Sequence, residues 1–396
     1  MTFLDFACFY LSLRYLIRKV KEMIERILAS KIQPIIGVRK AITIMGARQV
    51  GKSTLLQMMF GDRNDVMWLN GDDVDVQELF AHISSTRLKA LIGQHRIVVI
   101  DEAQRIPEIG LRMKLITDQM PDVQVIATGS SSFELSGKVN ESLTGRKREF
   151  RMFPLSFQEM VESSSLLDEI RMLPHRMVYG YYPEVVTNPG DERTVLKELS
   201  DSYLYKDVLS LDSISKPDKI VRLMKALALQ IGSQVSYNEI GSLVGLDPKT
   251  VEKYIDILEK SFILFRLSSF SRNQRNELKA SRKVFFWDLG IRNALIGNLA
   301  QVENRSDAGA LWENFLIAER MKRLVYQHSF ASSWFWRTRQ QMEIDYLEEE
   351  DGQLRAFEIK WNPKKATVRC PASFRDAYPD AIYQVVTPDN VEEFLL

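Results

Sequence analysis

Short apolar runs alternate with helical patterns between residues 41 and 130. The runs are AITIM at 41–45, VMWLN at 66–70, RIVVID at 96–101 and VQVIATG at 123–129. Near-continuous apolar stretches of this length are typical of strands buried on both faces of a parallel sheet. Because helical patterns separate the runs, we predict an α/β domain whose doubly wound parallel sheet is covered by helices.

The pattern changes after this domain, and the changes divide the chain into predicted units. These are an N-terminal helical segment at 1–34, the α/β core at 35–155, a mainly helical region at 156–232, a small helix-turn-helix module at 233–270 and a mixed α/β region at 271–396. Pro174, GYYPEV and NPGD are expected to interrupt the helical region. The polar, basic connector at 269–283 is predicted to be either a linker or a contact with nucleic acid.

The first 17 residues, MTFLDFACFYLSLRYLI, are apolar and aromatic. They lack a basic leader and Arg14 interrupts them, which is not typical of a signal peptide. Two expectations stay open: a helix that packs on the body of the protein, or a start codon assigned too early, with Met23 as the alternative start.

Composition narrows the classes of protein that remain. A chain of 396 residues is too long for one compact core, so about two or three domains are expected. The formal net charge is +1, so any surface that binds DNA must be a local patch. The two distant cysteines, Cys8 and Cys370, predict no disulfide framework and fit a cytoplasmic setting. No apolar run approaches the roughly 20 residues that cross a bilayer, so no membrane partner is expected.

The strongest motif is GARQVGKST at 46–54, which fits the pattern GxxxxGK[ST]. It follows a predicted strand and opens a predicted helix, which is the context that a phosphate-binding loop needs. Glycines permit the tight turns that aim backbone N–H groups at phosphate oxygens, and the helix N-terminus adds partial positive charge. We predict that Lys52 reaches the β- and γ-phosphates of ATP and that the Ser53 hydroxyl ligates Mg²⁺.

Two later strands complete the predicted site. RIVVIDEAQRIP delivers Asp101 to the carboxyl end of a buried strand, where it is predicted to hold Mg²⁺ through water, and Glu102 is the predicted general base. VQVIATGSSS ends in Thr128, Ser130 and Ser131, which either contact the γ-phosphate or simply form a turn. The predicted nucleotide-binding residues are Gly46, Ala47, Arg48, Gln49, Val50, Gly51, Lys52, Ser53, Thr54, Asp101 and Ser130.

A series of motifs resembles, in order, the AAA+ ATPases of bacteria and archaea in which a winged helix and a PD-(D/E)xK nuclease-like domain follow the ATPase core. The motifs are GARQVGKST, WLNGDD, VVIDEAQRIP, ATGSSS, LTGRKREFRMFPLSFQE and GYYPEV. The resemblance covers residues 23–370 and implies an AAA+-type sheet, a helical lid, a winged helix-turn-helix and a C-terminal α/β domain like a restriction endonuclease. It also implies that Arg146 is an arginine finger or sensor with a catalytic role, against the alternative of a structural salt bridge. Self-association is expected from the same resemblance.

The segment VSYNEIGSLVGLDPKTVEKYIDILEKSFILFRL predicts a helix-turn-helix. One helix covers Tyr237 to Val244, Pro248 opens the next, and FILFRLSSF suits a wing strand. The second helix is predicted either to enter a DNA groove or to serve as a packing surface, because acidic residues offset its lysines. The residues expected to project from it are Lys249, Thr250, Lys253 and Tyr254.

Near the C-terminus, MEIDYLEEEDGQLRAFEIKW predicts a β-hairpin that turns at Asp351-Gly352. Counting back from the turn sets Asp345 opposite Glu358, and two like charges at about 5 Å destabilise a sheet unless a divalent cation relieves them. The string D-x₁₂-E-x-K, which ends at Lys360, matches the PD-(D/E)xK nuclease core, and Glu313 matches its helical acid. Either Asp345 and Glu358 hold Mg²⁺ in an active nuclease, or the fold only binds.

These observations lead to three hypotheses. The first is an Mg²⁺-dependent AAA+ ATPase that acts as a nucleotide-driven switch linked to DNA. The second is an ATP-gated DNA nuclease, and the third is a non-enzymatic, nucleotide-dependent regulator that binds DNA.

Overall fold

A computed structural model describes residues 23–81, 83–129, 143–203, 216–271, 281–338, 340–365 and 369–396. The apolar stretch at 1–17 and both expectations for it lie outside these residues. The helices are α1 Ile27–Ile32, α2 Lys52–Phe60, α3 Val74–Ala81, α4 Ser85–Ile92, α5 Ile109–Gln119, α6 Phe157–Ser163, α7 Leu166–Tyr179, α8 Pro183–Thr187, α9 Glu192–Tyr203, α10 Pro217–Leu229, α11 Tyr237–Val244, α12 Pro248–Lys260, α13 Leu289–Leu295, α14 Ala308–Tyr326, α15 Ala372–Ala377 and α16 Val391–Leu395. The strands are β1 Ala41–Gly46, β2 Val66–Asn70, β3 Ile97–Asp101, β4 Gln124–Gly129, β5 Lys147–Met152, β6 Leu264–Ser268, β7 Arg282–Phe286, β8 Ser332–Arg337, β9 Glu343–Glu350, β10 Gln353–Ile359 and β11 Ile382–Val386.

A parallel sheet in the order β2-β3-β4-β1-β5 forms the first domain and confirms the predicted α/β core. Every residue of β1 and β4 is buried, as their continuous apolar sequences require. Since β4 lies between β1 and β3, the carboxyl ends of these three strands meet at one edge. That edge is where ligands bind in open α/β sheets.

The middle of the chain is helical, as predicted, with one correction. The expected break at Pro174 does not occur, because α7 continues through it. A proline in a helix removes one backbone hydrogen bond, and here the neighbouring packing outweighs that loss: Leu173 and Met177 on the same helix are fully buried.

Two helices joined by a short turn, α11 and α12, lie where the sequence predicts them. Gly245 ends α11 in the left-handed region, and the Asp247 side chain accepts the Thr250 N–H at 3.0 Å to cap α12. Tyr254 does not project from α12 as expected; it is 1% exposed because its ring joins the core. Thr250 is also engaged, since its hydroxyl donates to the Asp247 cap at 2.5 Å.

The strand predicted after α12 is present as β6, which pairs with β7 in an antiparallel ladder. The connector expected at 269–283 is therefore partly strand, and its residues 272–280 lie outside the described part. Helix α13 packs against α7, α9 and α10 of the helical region. It lies after residue 271, where the sequence predicts a domain boundary, so this packing crosses the predicted boundary.

A second sheet, in the order β11-β10-β9-β8, forms the C-terminal domain together with α14. The predicted hairpin turns at Asp351-Gly352, with Gln353 paired to Glu350 and Phe357 to Tyr346, which confirms the predicted register. Within the described part of the chain, no helix is long and apolar enough to cross a membrane.

Candidate functional site

The P-loop runs from the end of β1 to the start of α2, and its backbone geometry requires glycine at two positions. A Cβ on Gly46 would lie 2.2 Å from the Met152 carbonyl oxygen of β5, so no side chain fits there. Gly51 has a φ of +94°, in the left-handed region that favours glycine. Gln49 also has a positive φ, of 57°. The loop therefore curls tightly before the helix begins, as the motif predicts.

Lys52 lies inside this loop. Its side-chain ammonium donates to the carbonyl oxygen of Gly46 at 3.0 Å and to that of Ala47 at 2.6 Å, and the residue is 5% exposed. The geometry holds a positive charge at the N-terminus of α2, where the helix dipole already favours anions. The loop thus fits the phosphate groups of a nucleotide.

Ser53 of α2 and Asp101 at the end of β3 contact each other at this edge of the sheet. The Ser53 hydroxyl donates to Asp101 Oδ2 at 2.6 Å, and the Thr128 hydroxyl of β4 donates to Asp101 Oδ1. A hydroxyl beside a carboxylate is the oxygen donor set that Mg²⁺ prefers, so the pair fits the predicted magnesium ion.

Glu102 follows in an unusual conformation, with a φ of 48°. Its backbone N–H donates to the Thr128 hydroxyl at 3.1 Å, and Gln104 Nε2 donates to its carboxylate at 2.5 Å. Gly71, in the WLNGDD motif, packs so closely that a Cβ there would lie 2.2 Å from the Glu102 carbonyl oxygen. Gln104 and Gly71 were not predicted as site residues, although both stand inside the motifs.

Thr128 links the two acids, so its replacement by valine is expected to slow catalysis more than binding. The isosteric side chain cannot accept from Glu102 or donate to Asp101, and we expect kcat for ATP hydrolysis to fall about tenfold while the Kd for ATP stays close to wild type. Steady-state kinetics and ATP titration measure the two quantities. Thr43→Val is the matched control, because Thr43 is also buried, in β1, and its hydroxyl donates to the Arg148 carbonyl oxygen at 3.5 Å. Equal losses in both variants would contradict the assignment.

A mainly apolar cavity of about 260 Å³ opens beside the P-loop. Val50, Gly51 and Thr54 form one wall, so three predicted nucleotide-binding residues line it. Leu155 and Pro183 of the GYYPEV motif also line it.

Of the remaining predicted site residues, one lies away from this edge and another lies outside the described part of the chain. Ser130, like its neighbour Ser131, lies outside the described residues. Arg146 precedes β5, and because Lys147 pairs with Ala41, it lies at the amino end of the sheet, about 20 Å from the P-loop end of a six-residue strand. Its Nε donates to Asp118 Oδ1 at 2.7 Å. Arg146 is therefore not part of its own chain's site, and the alternative of a salt bridge is what the structure shows.

The predicted residues of the C-terminal domain converge in a separate cluster. The hairpin register places Asp345 beside Glu358. The Lys360 ammonium lies 3.7 Å from Asp345 Oδ2 and 2.5 Å from Glu358 Oε1. The Ile359 backbone N–H donates to Asp345 Oδ2 at 2.7 Å. These contacts hold the two acids near the ends of β9 and β10 that lie away from the turn.

Lys283 of β7, which was not predicted, joins Glu313 of α14 to the same cluster. Its ammonium lies 2.8 Å from Glu313 Oε1 and also pairs with Glu343. Burial raises the pKa of Glu313 to about 8, against the opposing effect of Lys283. Lys283 is 1% exposed, so its charge depends on these carboxylates.

The carboxylates of this cluster are paired with lysines. Burial raises the pKa of Asp345, and burial followed by the neighbouring Asp345 raises the pKa of Glu358. Each of the two lysines pairs with two of the carboxylates. Within the described ranges, no group of three or more His, Cys, Asp or Glu side chains is arranged to hold a metal ion. The magnesium site predicted at Asp345 and Glu358 gains no support from this arrangement and stays a prediction.

Comparison with known families divides the chain into three parts. Residues 38–161 match the AAA domain family, residues 170–302 match a domain of unknown function (DUF8612), and residues 308–394 match another (DUF4143). The first match contains the P-loop, Asp101 and Glu102. The third contains the C-terminal cluster apart from Lys283.

The chain is similar to uncharacterized proteins of bacteria and archaea. It is 25% identical over 344 residues to one from Mycobacterium tuberculosis, covering 86% of this chain and 74% of that protein. It is 26% identical over 311 residues to one from Haemophilus influenzae, covering 71% and 74%. Among solved structures, the Walker-type ATPase of Pyrococcus abyssi is 17% identical with a TM-score of 0.48, covering 69% of this chain and 96% of that one.

The family match and the geometry agree on the first domain. The AAA domain family covers the whole parallel sheet and every described residue of the P-loop site. Residues 38–161 are therefore a nucleotide-binding, AAA-type P-loop ATPase domain.

Proposed function

We propose that the protein is an ATP-driven molecular switch. ATP binds with Mg²⁺ at the carboxyl edge of β1, β3 and β4, and its hydrolysis changes how the remaining domains are held. The observation that carries this proposal is the hydrogen-bonded chain from Ser53 through Asp101 and Thr128 to Glu102, which joins the P-loop to the predicted general base.

The residues of the site divide the work between phosphate binding, metal binding and proton transfer. The loop N–H groups and Lys52 bind the phosphates, and the Lys52 ammonium exchanges the two loop carbonyls for phosphate oxygens. Ser53 and Asp101 would hold Mg²⁺, which neutralises charge that develops on the phosphates. Glu102 accepts the proton of the attacking water, and Gln104 keeps the carboxylate oriented.

The cavity beside the loop suits the nucleoside. It is mainly apolar, it adjoins the phosphate-binding turn at Gly51, and Thr54 and Glu184 supply polar groups at its walls. Pockets for planar ligands have this character, with a few polar groups that fix orientation.

The direct test is the release of phosphate by purified protein. We expect hydrolysis of ATP with Mg²⁺ and its loss when EDTA removes the metal. A titration with a fluorescent ATP analogue measures binding independently of turnover. If the protein neither bound nor hydrolysed ATP, the proposal would be overturned.

Self-association would give Arg146 a second role. Because it stands at the amino end of the sheet, it can complete an ATP site only on a neighbouring copy. Its side chain is 45% exposed and paired with Asp118, so an incoming phosphate would have to displace that carboxylate.

A second candidate function is nucleic-acid processing gated by the ATPase. The convergence of Asp345, Glu358, Lys360 and Glu313 favours it, since these residues come from three separate segments. The exposed Lys249 and Lys253 of α12 offer a further contact with phosphates, although the acidic residues of that helix equal its lysines in number.

Replacing Lys360 by alanine tests this candidate. If the cluster cuts DNA, we expect supercoiled plasmid to be nicked by the wild type with Mg²⁺ and ATP, and cutting to fall at least about 100-fold in Lys360→Ala, as for loss of a charged group at the reacting phosphate. Lys364→Ala is the control, because Lys364 is exposed four residues away. Wild-type protein that hydrolyses ATP but leaves DNA intact would exclude cleavage.

A further inference from the structure

The motif RMFPLSFQE contains a segment, residues 153–157, whose backbone is held by the C-terminal domain. Tyr326 Oη accepts the Phe153 N–H at 3.2 Å, and the Lys322 ammonium donates to the Leu155 carbonyl oxygen at 3.0 Å. Three residues before Lys322 on α14, a Glu319 carboxylate oxygen accepts the Phe157 N–H at 2.7 Å. The three side chains stand at i, i+3 and i+7 on one face of the helix and contact alternate residues of the segment.

Arg26 joins this segment to the P-loop. Its guanidinium donates to the Val50 carbonyl oxygen at 2.6 Å and to the Phe153 carbonyl oxygen at 2.7 Å. It also donates to Glu159 Oε1 at 2.9 Å and reaches Tyr326 Oη at 3.5 Å. The planar fork of an arginine can make all of these bonds at once, which no other side chain can do.

The same segment also lines the nucleoside cavity and contacts the GYYPEV motif. The Leu155 N–H donates to the Tyr181 carbonyl oxygen at 3.0 Å, two residues before Pro183. Leu155 itself lines the cavity. Segment 153–157 is therefore hydrogen-bonded directly to the GYYPEV motif and to α14, and Arg26 links it to the P-loop.

This network is buried, which limits how it can move. Arg26 is 6% exposed, Glu159 is 1% exposed and Tyr326 is 2% exposed. An unpaired buried charge or hydroxyl costs more than a paired one gains, so the groups are expected to shift together. A displacement of the Val50 carbonyl in the P-loop thus has to be matched at Tyr326.

We propose that Arg26 and Tyr326 are positioning residues through which the C-terminal domain sets the affinity of the P-loop for ATP. The inference rests on the proposed ATPase function. Coupling of this kind is reciprocal, so ATP bound at the loop also changes the preferred position of α14. This accounts for RMFPLSFQE and GYYPEV, two motifs that no catalytic step uses.

The test is Tyr326→Phe in the full chain, compared with Tyr346→Phe. Both tyrosines are fully buried in the C-terminal domain, but the Tyr346 hydroxyl contacts Ser333 and Glu348 and does not reach segment 153–157. We expect the Kd and KM for ATP to change about three- to tenfold in Tyr326→Phe, with kcat within about twofold, as for one lost hydrogen bond in the link. Tyr346→Phe should lower the melting temperature without changing Kd.

Arg26→Lys provides a second measurement, because it keeps the charge beside Glu159 but loses the fork. The double variant with Tyr326→Phe should change Kd by less than the product of the single effects, since both act through one link. A Tyr326→Phe variant that binds ATP as the wild type does would overturn this inference alone. Wild-type protein that binds no nucleotide would overturn the proposed function and this inference with it.

Discussion

Lys52→Ala is expected to abolish ATP binding while the protein stays folded. The lysine supplies the only ammonium that the structure places inside the described P-loop, where it donates to the Gly46 and Ala47 carbonyl oxygens. Charge-assisted hydrogen bonds contribute about 1.5–3 kcal/mol each, so losing two phosphate contacts should raise the Kd at least about 100-fold. Turnover is expected to fall by the same factor or more.

Titration with a fluorescent ATP analogue measures the change, and circular dichroism checks the fold. Lys89→Ala is the matched control, because Lys89 is an exposed lysine of the same domain, on α4. A Lys52→Ala variant with near wild-type affinity would show that the loop does not bind the phosphates through this side chain.

The P-loop was predictable because its chemistry is local. Nine consecutive residues contain the turn, the lysine and the hydroxyl, and the strand and helix on either side are marked by their own patterns. Asp101 and Glu102 were predictable for a related reason: a buried apolar strand has to end at the sheet edge, and the residue after it is delivered there. The pairing of β9 with β10 was predictable from the position of one turn, because the turn fixes which residues face each other along both strands.

Other parts depend on contacts that no local pattern marks. Strand β5, KREFRM, stands at the edge of the sheet, so only Phe150 and Met152 are buried and its charged residues hide the strand signal. Because β5 runs parallel to β1, Arg146 just before it lies at the amino end of the sheet, which the motif alone did not indicate. Arg26 is 24 residues from Val50 in the chain and 300 from Tyr326, so its role appears only once the fold brings them together.

Glu102→Gln is expected to separate binding from hydrolysis. Glutamine keeps the shape of the side chain and its contact with Gln104, and the backbone N–H still donates to Thr128. It cannot accept a proton from the attacking water, so the loss should correspond to general base catalysis, about 10²–10⁴-fold in kcat. ATP binding should stay close to wild type, because the proposed phosphate contacts come from the loop and from Lys52.

Single-turnover hydrolysis and ATP titration distinguish this outcome from simple damage to the site. Glu78→Gln, an exposed glutamate on α3, should leave both quantities unchanged. If Glu102→Gln hydrolysed ATP at the wild-type rate, the base would have to be another group. If it lost binding as well, the carboxylate would be acting on the fold of the loop instead of on the water. Retained binding with stalled turnover would also yield a protein held in its ATP-bound form, in which the position of α14 relative to segment 153–157 can be compared with that of Lys52→Ala.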